Sequence, residues 1–220
     1  MEQPPPTTPP RLRTRERQRE DTRQRIYDAA MDIFRRDGFQ VARVDDVAKA
    51  AGVSHGTFYF HFATKDDVLI QCLRASEMRV AAAIDAVPAE ESLLAVLDVA
   101  AGVITKEWEN EPKLFPEVAM VALRYLFSGT IAQKVATGAP EPTQGPQSLT
   151  SAVLAGRMRA AAERGELTKL LPAPVLSDLC LLNLFAGTLS WCGDPAARPL
   201  ALVLGGVVRL FLDGVRPPAA

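Results

Sequence analysis

At 220 residues, with 25 Lys and Arg against 26 Asp and Glu, the chain carries a net charge of −1. It is long enough to bury a substantial core, and it is not a polycation that seeks nucleic acid indiscriminately. Hydrophobic residues make up 48% and charged residues 23%, ordinary values for a soluble globular protein. No apolar run of roughly 18 residues, the length of a membrane span, stands without a charge or break. The polar, proline-rich start does not read as a signal peptide, so a cytoplasmic protein with no membrane partner is expected.

In chain order, MEQPPPTTPP buries little, and residues 11 to 25 follow with seven arginines and three acids, a local +4. Residues 1–19 are expected to form a disordered basic arm that binds phosphate while flexible. From Thr22 the pattern changes. Ile26, Ala30, Ile33 and Phe34, with Tyr27 beside them, make a helical stripe ending at Gly38. Val44, Val47, Ala48 and Ala51 fall at i, i+3, i+4 and i+7 of a second, two-turn helix with Asp45 and Asp46 at its positive end.

Gly52 ends that helix, since a residue without Cβ takes the left-handed conformation of a helix terminus. Ser54 is an N-cap for a third helix, His55 to Phe62. Two helices joined by a glycine-containing turn form a helix-turn-helix, whose second helix enters the major groove. Thr64 then caps a fourth helix, and Asp67 answers it in a weaker form of the capping box. Lys65 stands at the positive end of this helix, where an external anion such as a DNA phosphate would compensate it.

The fourth helix carries Leu69, Cys72, Leu73, Ser76, Val80 and Ile84 on one side until Pro88, joining the reading part, residues 20–66, to the rest, residues 67–220. Every later element is again a helix: Ser92 to Asn110, about Glu117 to Phe127, Leu149 to Arg164, Val175 to Trp191 and Pro199 to Leu212. Residues 137–148, TGAPEPTQGPQS, read as a loop. The fold class is therefore all-α: an N-terminal three-helix DNA-binding domain and a C-terminal helical bundle. The last two helices are apolar on nearly every side, more than one subunit readily covers. A two-fold dimer through them is the economical arrangement, with Gly187, Gly205 and Gly206 permitting close approach.

The first turn of the third helix, Ser54, His55, Gly56 and Thr57, is the part that meets base edges or phosphates. His55 donates or accepts there, Gly56 allows close backbone approach, and Thr57 offers a hydroxyl and a methyl. Phe58 and Phe62, four apart, are core anchors. His55 and His61 lie on different helical faces and cannot share a metal. Cys72, Cys180 and Cys192 are an odd number at wide spacing, which argues against disulfides and zinc and for inert core thiols. No Ser/His/Asp pattern, glycine-rich phosphate loop or carboxylate pair has supporting context, so neither an enzyme nor a cofactor is expected. Trp108, Phe115, Met120, Tyr125, Phe127, Met158 and Phe185 are candidates to line an apolar cavity and equally read as an ordinary helical core.

The run AKAAGVSHGTFYFHFATKDDVL resembles the DNA-binding domain of the TetR family of bacterial transcription regulators, over about fifty residues from Thr22 to Leu73. Its pattern A-x-A-A-G-V-S-x-G-T-x-Y-x-H-F-x-x-K-x-x-L is nearly complete. Two positions depart: Arg43 stands where a capping Thr is usual, and Asp45 where a polar or basic residue is common. The resemblance implies that Tyr59 and His61 bind backbone phosphates, that Lys65 clamps another, and that Phe60 touches a thymine methyl or sugar. It also implies a bacterial homodimeric repressor on a palindromic operator of double-stranded DNA, released by a small apolar or amphipathic effector in the C-terminal domain. The alternative is an effector-independent regulator or activator of the same fold.

Overall fold

The computed structural model describes residues 10–121, 123, 148–167 and 171–216. Among them every regular element is a helix and none is a strand, as expected for an all-α chain. The helices are α1 (Pro10–Asp37), α2 (Val44–Ala51), α3 (His55–His61), α4 (Asp66–Asp85) and α5 (Leu93–Trp108). They continue as α6 (residues 115–121), α7 (Leu149–Glu163), α8 (Ala173–Cys192) and α9 (Leu200–Val215). Two compact units, Met1–Val68 and Leu69–Ala220, divide the chain just inside α4.

In the first unit, α1 buries Ile26, Ala30, Met31, Ile33 and Phe34, and α2 turns Val47, Ala48 and Ala51 inward. Phe58 of α3 and Phe62 complete this core. Phe34 and Phe39 meet edge to face at 5.0 Å across the end of α1, where Gly38 takes φ 91° and its N–H bonds the Phe34 carbonyl.

The helix begins at Pro10, not near Thr22, so the expectation of a disordered arm is corrected for residues 10–19, which are helical. Residues 1–9 lie outside the described residues. The reason is local. Proline is tolerated in a first helical turn, and Arg, Glu and Gln are strong helix formers. Arg17–Asp21 and Asp21–Arg25 are also opposite charges spaced i, i+4, and Glu16–Arg19 and Glu20–Arg23 are spaced i, i+3. A missing apolar stripe does not forbid a helix here, because this segment extends one nucleated by the core behind it.

In the second unit α8 packs with α7 and α9, and α5 packs with α7 and α9. Ser92 caps α5 by accepting from the Ala95 N–H at 3.2 Å, and Ser148 caps α7 by accepting from Ser151. Gly165, at φ 80°, closes α7 with Glu166 N–H to Ala161 carbonyl and Gly165 N–H to Ala162 carbonyl. Arg157 of α7 donates to the carbonyls of Ile84 at 2.9 Å, Asp85 at 3.0 Å, Pro88 at 3.2 Å and also Val87. One guanidinium thus gathers four carbonyls at and just past the end of α4, two of which, those of Ile84 and Pro88, also accept backbone N–H groups. Ser76 donates to Glu107 at 2.6 Å, and Arg79 pairs with the same carboxylate, tying α4 to α5.

The terminal helices bury one stripe each: Leu176, Cys180, Leu184, Thr188 and Trp191 on α8, and Leu200, Leu204, Val208 and Leu212 on α9. A Cβ on Gly187 would stand 2.9 Å from Val207, so this glycine permits the α8–α9 approach. A Cβ on Gly205 or Gly206 would meet nothing within 4 Å among the described residues, so neither glycine is needed for packing there. Val175, Leu179, Leu182, Leu202 and Leu210 remain exposed, so the outer faces of both helices are apolar and uncovered by the described residues. By length and hydropathy α8 is long and apolar enough to cross a bilayer, but Asp178 interrupts its apolar run, as expected from sequence. Burial pushes the Cys180 thiol up to about 12, and Cys72 is buried too.

Candidate nucleic-acid interface

The reading element is built by punctuation. Gly52 adopts φ 66° and ψ 38°, and its N–H reaches the Lys49 carbonyl while Val53 N–H reaches Ala48 at 2.9 Å. These two bonds satisfy the last carbonyls of α2 and turn the chain by the geometry only glycine adopts without strain. Ser54 then accepts from the Thr57 N–H at 3.1 Å, and the two hydroxyls lie 2.8 Å apart. At the start of α2, Arg43 makes no side-chain cap, as its departure from the usual Thr foreshadows.

Of the seven residues of α3, Phe58 is fully buried, and the following Phe62 is 1% exposed. With these anchors four residues apart, the opposite face must look outward. Tyr59 is 46% and Phe60 66% exposed. Ser54, His55 and Gly56 are exposed, and Thr57 and His61 are half-buried. The site residues of α3 therefore form one contiguous outward surface with His55 and Tyr59 edge to face at 4.9 Å and Phe60 and His61 at 5.1 Å. A Cβ on Gly56 would meet only Ser54 Oγ, at 3.9 Å, so the backbone there is open to approach. His55 Nε2 stands 3.5 Å from Asp45 Oδ1, which couples the unusual acid on α2 to the first residue of α3.

Lys65 is placed differently from its seven companions. Its ammonium donates to the carbonyls of Phe39, Gln40 and Ala42 at 2.8, 3.2 and 3.4 Å and lies over the Phe39 ring. The capping box beside it forms as expected, Thr64 N–H donating to Asp67 at 2.8 Å and Asp67 N–H to Thr64 Oγ1 at 3.3 Å.

Two residues escaped the sequence reading. Arg19 stands over the Phe60 ring at 5.0 Å, and Arg23 over the Phe62 ring at 4.1 Å, while Arg23 also donates to the His61 carbonyl. The signal was present: positions 19, 23, 26 and 30 share a helical face, so these arginines continue the stripe that buries Ile26 and Ala30. Partial burial, with the nearby charges of Arg19 and Arg23, holds the His61 imidazole below its ordinary range, and Glu20 opposes them.

The candidate effector residues scatter more. Trp108 and Phe115 are buried and meet at 5.0 Å, and Phe185 lies 5.3 Å from Phe115, an aromatic cluster where α5, α6 and α8 converge. Met158 is fully buried on α7, whereas Met120 is 55% exposed. Tyr125, Phe127 and all but Ser148 of the expected loop lie outside the described residues. No group of three potential metal ligands is found among the described residues.

Residues 26–72 match the family of bacterial regulatory proteins, tetR family. Over 50 residues the chain is 48% identical to the HTH-type transcriptional regulator SrpR of Pseudomonas putida, a stretch covering 23% of this chain and 24% of that one. The chain thus spans about a quarter of the length of the curated relatives it matches. Among solved structures it is similar to Thermus thermophilus FadR, a TetR family transcriptional repressor in complex with lauroyl-CoA. That match has 25% identity, covers 90% of this chain and 98% of the other, and has a TM-score of 0.62. Bacillus subtilis FadR in complex with stearoyl-CoA has the same fold, with 18% identity over 88% of this chain and 99% of that one and a TM-score of 0.61.

Proposed function

We propose that this chain, whose residues 26–72 match the bacterial regulatory proteins of the tetR family, is a cytoplasmic homodimeric repressor released from a palindromic operator by a small effector. Proteins of this family are regulators and not enzymes. The observation that carries the proposal is the outward face of α3, Ser54 to His61, presented by two buried phenylalanines and capped at its start. A short helix offering a hydroxyl pair, an imidazole, an open backbone and two aromatic rings suits reading in a major groove. Ser54, His55, Gly56 and Thr57 would meet bases or phosphates, Tyr59 and His61 phosphates, and Phe60 a thymine methyl or sugar. Lys65 would reach a phosphate only by giving up a carbonyl partner, so its first role is to hold the reading domain together.

The exposed leucines of α8 and α9 support a two-fold dimer, and such a dimer presents two reading helices to a near-palindromic site. The effector is proposed to be small and amphipathic, the class to which the acyl-CoA bound by the similar FadR of Thermus thermophilus belongs. Arg157, which ties α7 to the end of α4, supports a mechanism in which the ligand biases α4 and so the spacing of the reading heads. The test is a titration of the purified protein against the DNA upstream of its own gene, with and without a metabolite library that includes acyl-CoAs. Tight binding to one near-palindromic segment, relieved by a library member, is expected. Tight binding that no compound relieves would favour the effector-independent regulator, and equal binding to every duplex would remove the sequence-specific reading altogether.

A further inference from the structure

The recognition helix α3 is seven residues long, too short to persist on its own. Its first end is held by Ser54 and its middle by Phe58. At its last turn the carbonyls have no partner within the helix, and Tyr59, Phe60 and His61 hang on that turn. There the structure places Arg23. Its guanidinium donates to the His61 carbonyl and lies on the Phe62 ring at 4.1 Å, joining α1 to the end of α3 across 38 residues of sequence. A positive group is favoured at a helix C-terminus, and a charge-assisted bond to the terminal carbonyl fixes its direction. One turn earlier on α1, Arg19 covers one side of the otherwise exposed Phe60 ring.

We infer that Arg23 is a positioning residue for DNA reading: by gripping the last carbonyl of α3 and the Phe62 ring, it sets the orientation of Tyr59, Phe60 and His61 without itself touching DNA. Arg19 assists by restraining Phe60. The inference rests on the reading of α3 as the recognition helix and adds the residue that aims it. It gives the helical N-terminal half of α1 a role other than a loose cationic tail. The planar fork is needed because it makes both contacts at once, which an ammonium point charge does only in part.

The wild-type protein first selects duplexes from a random-sequence pool. The selected duplex and a random duplex of equal length are then titrated at several salt concentrations with wild type, Arg23→Met and Arg23→Lys. For Arg23→Met the preference for the selected duplex should fall about tenfold, the scale of one lost base contact, while the salt dependence keeps its slope. Arg23→Lys, which keeps one donor and the charge, should recover part of that preference. The protein has two histidines, so their imidazole signals in NMR are easily assigned. The His61 signal should titrate at higher pH in Arg23→Met, because a neighbouring positive charge has gone.

Equal weakening on both duplexes, with a salt slope shallower by about one, would make Arg23 a phosphate contact instead. An unchanged preference in folded protein, with only a lower melting temperature, would reduce it to a brace, and an unmoved His61 titration would deny the contact itself. Should Arg23→Met not fold, Arg23→Gln carries the same comparisons with a neutral donor. A wild-type protein that enriches no duplex would overturn the underlying reading of α3, whereas enrichment with an indifferent variant rejects this inference alone.

Discussion

The ammonium of Lys65 lies 4.5 Å from the centre of the Phe39 ring and donates at 2.8 Å to the carbonyl oxygen of that same residue. Gln40 and Ala42 supply two more carbonyls, so the three N–H donors of one lysine meet three acceptors in the segment between α1 and α2. A cation set at the positive end of α4 is compensated from within the domain, by dipoles 23 to 26 residues earlier in the chain.

Lys65→Met should therefore destabilise the N-terminal unit by about 1–3 kcal/mol, the range for losing hydrogen bonds to a charged group. Urea unfolding followed by circular dichroism measures this. A variant as stable as wild type but with a shallower salt dependence of DNA binding would return Lys65 to the role of a phosphate clamp.

Two glycines with empty surroundings should respond in opposite directions. Gly52, at φ 66° with nothing within 4 Å, is strained by any side chain, and Gly52→Ala should cost about 1–2 kcal/mol. Gly102 lies inside α5, also with nothing within 4 Å, so Gly102→Ala should stabilise by up to about 1 kcal/mol. Comparing both melting curves separates backbone strain from packing, and a Gly52→Ala protein of unchanged stability would refute the left-handed turn.

Charges on the outer and inner faces of the terminal helices should act differently. Leu202 and Leu210 are 65% and 76% exposed in the single chain, so Leu202→Glu and Leu210→Glu should dissociate a dimer while leaving each subunit folded. Leu184 is 1% exposed, so Leu184→Glu should unfold the subunit, because it leaves an unpaired charge in the core. Analytical ultracentrifugation with circular dichroism reads both. Wild-type protein that remains monomeric at micromolar concentration yet binds its operator tightly would sink the two-fold arrangement.

His61 is held below its ordinary 6.5, first by burial and then by Arg19 and Arg23. The free protein therefore carries it neutral near pH 7, and folding stability should be fully present above pH 6.5 and decline as the pH falls toward the lower folded value. If a phosphate approaches His61, its negative charge raises that value and DNA binding takes up a proton. Affinity should then increase as the pH drops through the region below 6.5. In His61→Gln that increase should vanish, and a pH profile identical to wild type would exclude the phosphate contact.

Much of the first unit was legible because its signals are local. Gly52 ends α2 through bonds to Ala48 and Lys49, Ser54 caps α3 through Thr57, and Thr64 and Asp67 cap each other. The outward face of α3 followed from the spacing of Phe58 and Phe62. The helical arm was not legible, because helix propensity and charge spacing with no apolar period give a weak pattern. The candidate effector residues were the least legible. Buried aromatics such as Trp108, Phe115 and Phe185 have the same spacing whether they fill a core or border a cavity.

What the sequence determined by itself is the order of the helices and, for the amphipathic α1 to α3, the face turned inward, because caps, glycine turns and apolar periods act over a few residues. The tertiary structure decided where the long cationic side chains go. Lys65 reaches the α1–α2 segment, Arg23 the end of α3, and Arg157 the end of α4, each gripping backbone carbonyls far away in sequence. It also decided which stripe of the uniformly apolar α8 and α9 is covered within the chain, leaving Leu182, Leu202 and Leu210 outside. A helix apolar on every side has no preferred inner face, and a flexible cation finds its acceptors only when the fold brings a cluster of carbonyls within reach.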